Sequence, residues 1–331
     1  MRSALVVGVL VLAGCRPAPE ARDDAARGPA DAPPPPQATA AERALLERLA
    51  HAERTVESSG WKTFVHGPPG ASRETRLRIE RFADGRTRIA WEGTGDPPER
   101  RWETKVRAPW ASRTDLVLRN YAVEADAEPG PTVAWRATQR VRFLPRRAKR
   151  PSVELLADAE TGLALAETYR DAEGAVFFGS RYEAIEMGPP AETSEDAPPG
   201  TVAETLPNGN GAPSAPGTWT PLRLAAVPEG FETVAAEWTS KGSWREDLTD
   251  GVAVLTVLQR PSREDAREAD PGGGGAGAPV AEGECRRRAW LGGSSLRAVL
   301  GGIGVRISGN LPAEVLESVL SGLEPGSGPR R

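Results

Sequence analysis

The spacing of apolar positions changes several times along the chain, and each change predicts an element. Leu45, Leu49, Ala52 and Val56 recur at helical spacing, with Glu42, Arg43, Glu47 and Arg48 on the other faces. This predicts an amphipathic helix ended by Gly60. The period then becomes two. Thr75, Leu77 and Ile79 alternate with Arg76, Arg78 and Glu80, and Thr87, Ile89 and Trp91 alternate with Arg88 and Glu92. Asp84-Gly85 between them is a hairpin signal. Val133, Trp135, Ala137, Val141 and Phe143 predict one long strand, and Val153–Leu156, Leu163–Tyr169 and Val176–Ile185 predict three more. The segments between these three begin with Asp and end with Gly, which is turn chemistry, so the pattern is an antiparallel meander.

One face of this meander is apolar and the other carries Arg and Glu. A sheet with one wet face has to curl or be covered to bury the other, and the N-terminal helix is the obvious cover. A second folded region, 222–324, predicts strands at Phe231–Trp238, Val252–Leu258, Leu296–Leu300 and Ile303–Ile307. A helix follows with Pro312 in its first turn and a stripe of Val315, Leu316, Val319, Leu320 and Leu323. The expected fold class is α+β.

Composition places the remainder. Gly and Pro make up 67 of 331 residues and are concentrated outside these segments. Residues 16–39, with Pro33-Pro34-Pro35-Pro36, read as an extended tether, and 188–221 as a linker between folded regions 40–187 and 222–324. A Gly-rich stretch around 271–275 reads as a loop within the second region. The two regions are expected to unfold separately, with the linker as the protease-sensitive site.

The first fifteen residues resemble a lipoprotein signal peptide. Arg2 precedes an apolar run, Leu5–Leu12, too short to span a bilayer, which takes about 20 residues. Leu12-Ala13-Gly14-Cys15 then matches a lipobox, making Cys15 the expected lipidation site and mature N-terminus. Arg16 after it, where Asp would retain the protein at the inner membrane, favours the outer membrane. With Cys15 acylated, Cys285 has no disulfide partner, and its pattern reads as a strand residue beside Arg286-Arg287-Arg288.

A net charge of −4 argues against a nucleic-acid partner. Nucleophile-elbow, zinc-protease, phosphate-loop and dinucleotide motifs are absent, so no catalytic residue, metal or cofactor is expected. Ser59-Gly60-Trp61-Lys62 fits S-x-x-K without its companion motifs. His51 and His66 lack ligand-spaced partners and read as surface residues. Two surfaces carry binding expectations. Arg140, Arg142, Arg146, Arg147, Lys149 and Arg150 form a cationic run that reads either as a solvated turn or as an anionic contact, through Arg142, Arg146, Arg147 and Arg150. Trp61, Phe64, Trp91 and Trp135 read as core or as the lining of an apolar cavity for an acyl chain or lipopolysaccharide-type ligand.

Several motifs, in order, resemble the MucB/RseB family of periplasmic regulators. They are Leu45-Leu46-x-Arg48-Leu49-Ala50, Gly60-x-x-Thr63-Phe64-Val65, Arg76-x-Arg78-Ile79, Arg150-Pro151, Asp158-x-Glu160-Thr161-Gly162-Leu163, Val227-Pro228-Glu229-Gly230-Phe231 and Asp250-Gly251-Val252. The resemblance implies a LolA/LolB-like half-open antiparallel barrel with a helical lid, followed by a smaller α+β domain of sheet and helix. It also implies an anti-sigma factor partner in envelope-stress signalling, with lipid sensed in the barrel. The lipobox and the Arg-rich turn depart from the family pattern. The alternative is a LolA/LolB-like carrier or acceptor of lipids or lipoproteins, for which the half-barrel alone would suffice.

Overall fold

The computed structural model describes residues 38–67, 72–92, 99–104, 108–148, 150–190, 219–239, 242–262, 283–290 and 293–325. Cys15, the tether and most of the linker lie outside them.

Helix α1 (Ala40–Thr55) starts at a capping box. The Thr39 hydroxyl accepts from the Glu42 amide at 3.1 Å, and the Glu42 carboxylate accepts from the Thr39 amide at 2.7 Å. Its buried face is Leu46, Leu49, Ala50, Ala52 and Glu53. The helix stops at Thr55, before Gly60, which lies within strand β1 (Ser58–His66). A Cβ at Gly60 would come within 2.3 Å of the Ala184 carbonyl oxygen, so the glycine permits a close strand approach.

The first module continues with β2 (Arg73–Arg81), β3 (Thr87–Glu92), β4 (Glu99–Thr104), α2 (Pro109–Ser112), α3 (Thr114–Asn120), β5 (Tyr121–Val133), β6 (Arg136–Pro145), β7 (Ser152–Asp158), β8 (Ala164–Arg170) and β9 (Val176–Met187). Its nine strands form one sheet in the order β4-β3-β2-β1-β9-β8-β7-β6-β5. Neighbours are antiparallel, β1 pairs with β9, and among the described residues the edges β4 and β5 do not pair. The barrel is half-open. Under the helices one face is packed by Leu46, Leu49, Trp110, Val117, Tyr121, Val141, Phe143 and Leu155.

The long strand expected through Val133 and Phe143 is two strands. Val133 pairs with Arg136, and Ala134-Trp135 is the two-residue turn of the β5–β6 hairpin. Alternating residues continue on both sides of so short a turn, which hides it from a periodicity argument.

The second module comprises β10 (Arg223–Leu224), β11 (Glu232–Trp238), β12 (Trp244–Thr249), β13 (Val254–Pro261), β14 (Cys285–Trp290), β15 (Gly293–Leu300), β16 (Ile303–Gly309), α4 (Ala313–Ser321) and β17 (Leu323–Glu324). Six strands form a sheet in the order β11-β12-β13-β16-β15-β14, and β10 pairs with β17. Leu248, Leu255, Val257, Leu296, Val305 and Ile307 from the sheet bury Leu316 and Val319 of α4. Pro312 is the N-cap residue of α4, one position before its first turn. Among the described residues no helix is long and apolar enough to cross a membrane.

Candidate functional site

The two modules meet at a buried ionic seam. Arg150, just after the Arg-rich turn, lies 3.4 Å from Asp250 on the β12–β13 turn, and both are almost wholly buried. The Tyr121 hydroxyl donates to the same carboxylate at 2.9 Å. Its other oxygen accepts from the Val252 and Ala253 amides at 3.0 and 2.7 Å. Asn120 donates from its side-chain amide to the Gly230 and Asp250 carbonyls at 2.9 and 2.8 Å. Arg150 stacks on Phe231, 4.1 Å from its ring centre, and donates to the Glu229 carbonyl. Arg119 reaches Glu232 at 2.6 Å.

Local sequence makes these contacts possible. Gly251 has φ +99°, and a Cβ there would meet the Val117 amide nitrogen at 2.6 Å. Gly230 has φ +79°, and a Cβ would meet the Asn120 side-chain oxygen at 2.7 Å. Only glycine fits either position. Val252, next to Gly251 and fully buried, joins the apolar core of the first module beside Val117, Leu118 and Tyr121. Burial pushes the Asp250 carboxyl above its ordinary range despite Arg150 and the two amides, and burial pulls the Arg150 guanidinium down. Burial and the adjacent Asp250 push Tyr121 well up. Desolvation therefore outweighs the attraction, and removing either partner would strand a charge.

The Arg-rich turn lies between two clefts. One, of about 600 Å³, separates α1 from β5 and is lined by Thr39, Glu42, Leu45, Arg48, Val123 and Gln139 among others. Glu42 in its wall pairs with Arg146 at 3.0 Å and accepts from the Val123 amide at 3.2 Å. The other, of about 500 Å³, lies between residues 224–229 and the end of α4, lined by Leu224, Val227, Pro228, Glu229 and Val319 among others. Glu229 in its wall pairs with Arg147. Consecutive arginines thus touch the walls of two different clefts, one per module.

The four arginines of the anionic-contact expectation each have a carboxylate partner within the chain. Arg142 pairs with Asp126, Arg146 with Glu42, Arg147 with Glu229 and Arg150 with Asp250. The cations are met by the protein's own carboxylates, from parts of the chain too distant for a local charge count to register.

Of the cavity aromatics, Trp61, Phe64 and Trp135 are not brought together, and the Trp91 side chain lies outside the described residues. Phe64 faces the covered side, 6.4 Å from Phe178. Trp61 lies three residues earlier on the opposite face, with the Arg76 guanidinium 4.2 Å from its ring. Trp91 is in β3, paired with Arg100. Trp135 is corrected outright: it sits on the hairpin turn, 96% exposed, and lines no interior. Trp110 is fully buried 6.0 Å from Phe143.

His66, expected at the surface, is also corrected. It is buried at the end of β1, and burial and Arg73 lower its pKa; His51 is exposed. Cys285 is a strand residue paired with Ala298. Among the described residues no group of His, Cys, Asp and Glu could hold a metal. Asn120 and Tyr121 carry no motif in the sequence; Asp250-Gly251 and Arg150-Pro151 stand out there as family motifs, and Arg150 as an anionic contact, but neither pattern shows that the two meet. A signal was present: Asp and Gly flanked by apolar residues, and an Arg within a Pro-bounded turn.

These features define a class: a half-open barrel and a smaller sheet-and-helix module joined through buried charges, with clefts for binding. The crystal structure of MucB superposes with a TM-score of 0.59 at 17% identity, covering 87% of this chain and 99% of that one. A chain of the Pseudomonas aeruginosa MucA/MucB complex superposes at 0.58 and 18% identity, covering 87% and 100%. MucB bound to MucA(peri) gives 0.57 at 18%, with the same coverage. The fold is that of MucB. A LolA-superfamily protein from Nitrosomonas europaea aligns at 0.21, too loosely to define a fold. No family model and no curated protein sequence matches the chain.

Proposed function

We propose that this chain is a MucB-type envelope regulator that binds the periplasmic segment of an anti-sigma factor and so controls sigma-factor release under stress. The observation that carries this reading is the likeness to MucB through both modules, including MucB in complex with MucA. A carrier needs only a half-barrel, so the second module, tied in through Arg150 and Asp250, favours a regulator over a LolA/LolB-like carrier. The two clefts suit an extended peptide, which on entering either would displace a carboxylate–arginine pair and be felt at the seam.

The proposal places the protein in the periplasm, anchored through acylated Cys15 to the outer membrane. An acyl or lipopolysaccharide-type ligand would enter beneath the lid by displacing α1–α3, because Leu46, Trp110, Tyr121 and Phe143 fill that face. The test is crosslinking in intact cells followed by purification of this chain. Recovery of a single-span protein with a cytoplasmic sigma-binding region is expected. Recovery of lipoprotein cargo in its place would overturn the reading in favour of the carrier.

A further inference from the structure

Trp135 is the one aromatic among the exposed large apolar side chains of the described residues, at 96% exposure. It occupies a turn whose two residues, Ala134 and Trp135, have φ of +46° and +64°. Both positive angles match a type I′ turn, a geometry that Asn-Gly adopts readily and that strains residues with a Cβ. Folding alone would favour Asn-Gly here. Instead the chain holds its largest apolar side chain in water on a strained backbone.

The surroundings of the tip indicate what it meets. Arg136 is matched by Asp158 and Glu160. Arg181, exposed, donates to the Thr132 carbonyl of the same hairpin at 2.9 Å and has no carboxylate partner among the described residues. A guanidinium without a carboxylate partner thus reaches from β9 to the hairpin three residues before the exposed indole. The seam, at Tyr121 and Arg146–Arg150, lies at the other end of β5 and β6, so the second module leaves the tip uncovered.

We propose that the β5–β6 tip is a lipid-surface contact, with the Trp135 indole at headgroup depth and Arg181 on lipid phosphate. Indoles prefer the membrane–water interface, and guanidinium groups bind phosphate through paired hydrogen bonds. A protein hot spot is normally ringed by further contacts that exclude water. Trp135 is instead the one exposed large apolar side chain of its hairpin among the described residues, a shape that suits a deformable surface. The 22 residues between Cys15 and Ala38 have a contour of about 70 Å at ~3.1 Å per residue, long enough for an acylated Cys15 to sit in a membrane that the folded part approaches. That last point rests on the proposed anchor; the contact itself does not.

The test uses the full chain and its Trp135→Phe variant with vesicles of phosphatidylethanolamine and phosphatidylglycerol, with and without brominated acyl chains. Subtracting the two emission spectra isolates Trp135 from the other tryptophans. A shift to shorter wavelength and loss of emission in brominated vesicles are expected, both weakened by Arg181→Gln. Difference emission that stays at the position of a water-exposed indole, unquenched, would overturn the proposal. So would a shift that appears only when a soluble partner protein is added. Ala134→Asn/Trp135→Gly keeps a favourable turn, so its loss of vesicle binding cannot be ascribed to misfolding. Cys15→Ala, followed by membrane fractionation, reads the anchor separately.

Discussion

Arg150 and Asp250 meet at 3.4 Å, one from each module, in a pocket closed to solvent and completed by Tyr121 and the Phe231 ring. Truncating one member of a buried pair typically costs about 3–5 kcal/mol, because the other is left charged and unmatched. The seam replaces the expectation of separate unfolding with a single calorimetric transition for the unmodified chain, which Arg150→Ala should split into two, the first-melting component carrying most of the loss. Arg150→Met/Asp250→Asn removes both charges and should recover much of it. Two transitions already present in the unmodified chain would show that the seam does not couple the modules.

Acid should act elsewhere. Asp250 has a raised folded pKa, so its contribution is present at low pH and declines as pH rises through that value; it does not drive acid unfolding. Asp158 behaves oppositely. Burial pushes it up, but Arg136 at 2.5 Å and the Thr161 amide and hydroxyl pull it below the ordinary value. At Glu42 burial is likewise outweighed, by hydrogen bonds from Thr39 and Val123 and by Arg146. Their stabilisation is present above the usual carboxylate range and is lost as pH falls through the lowered values. The melting temperature should fall with acidification below about pH 4, and Glu42→Gln should flatten that limb. An unchanged acid limb in the variant would remove Glu42 from the lid.

The β5–β6 turn predicts a stabilising change. Ala134→Asn/Trp135→Gly supplies the residues that positive φ favours and should raise stability by about 1–2 kcal/mol. Chemical denaturation reads this directly. A destabilised double variant would mean that Trp135 packs against something in the folded chain.

Much of the fold is legible in the sequence because local pattern and tertiary demand agree. The T-x-x-E of Thr39 and Glu42, the Asp-to-Gly turn at 158–162 and the alternation in β2 and β16 each specify their element with neighbours alone. The site is not legible in that way. Arg146, Arg147 and Arg150 look like a free cationic run until Glu42, Glu229 and Asp250 arrive from as many as 104 positions away. Strand β12 is hidden by Arg245, Glu246 and Asp247, where a side-chain pair between Arg245 and Asp247 replaces an apolar pattern. Trp135 is hidden by parity, since a two-residue turn leaves alternating residues on both sides.

The lipobox predicts that Cys15 tethers the chain. Cys15→Ala should leave the membrane fraction and lose acyl label in cells fed a labelled fatty acid. Retention of both membrane attachment and label would place the anchor elsewhere.

The most direct measurement is calorimetric titration of the full chain with the purified periplasmic segment of the anti-sigma factor encoded by the same genome, alongside Glu42→Ala and Glu229→Ala. Saturable binding is the expected result, with affinity weakened by both substitutions because each removes a cleft wall. No heat of binding at any concentration, or binding indifferent to both substitutions, would contradict a MucB-type regulator that reads its partner at the clefts beside the seam.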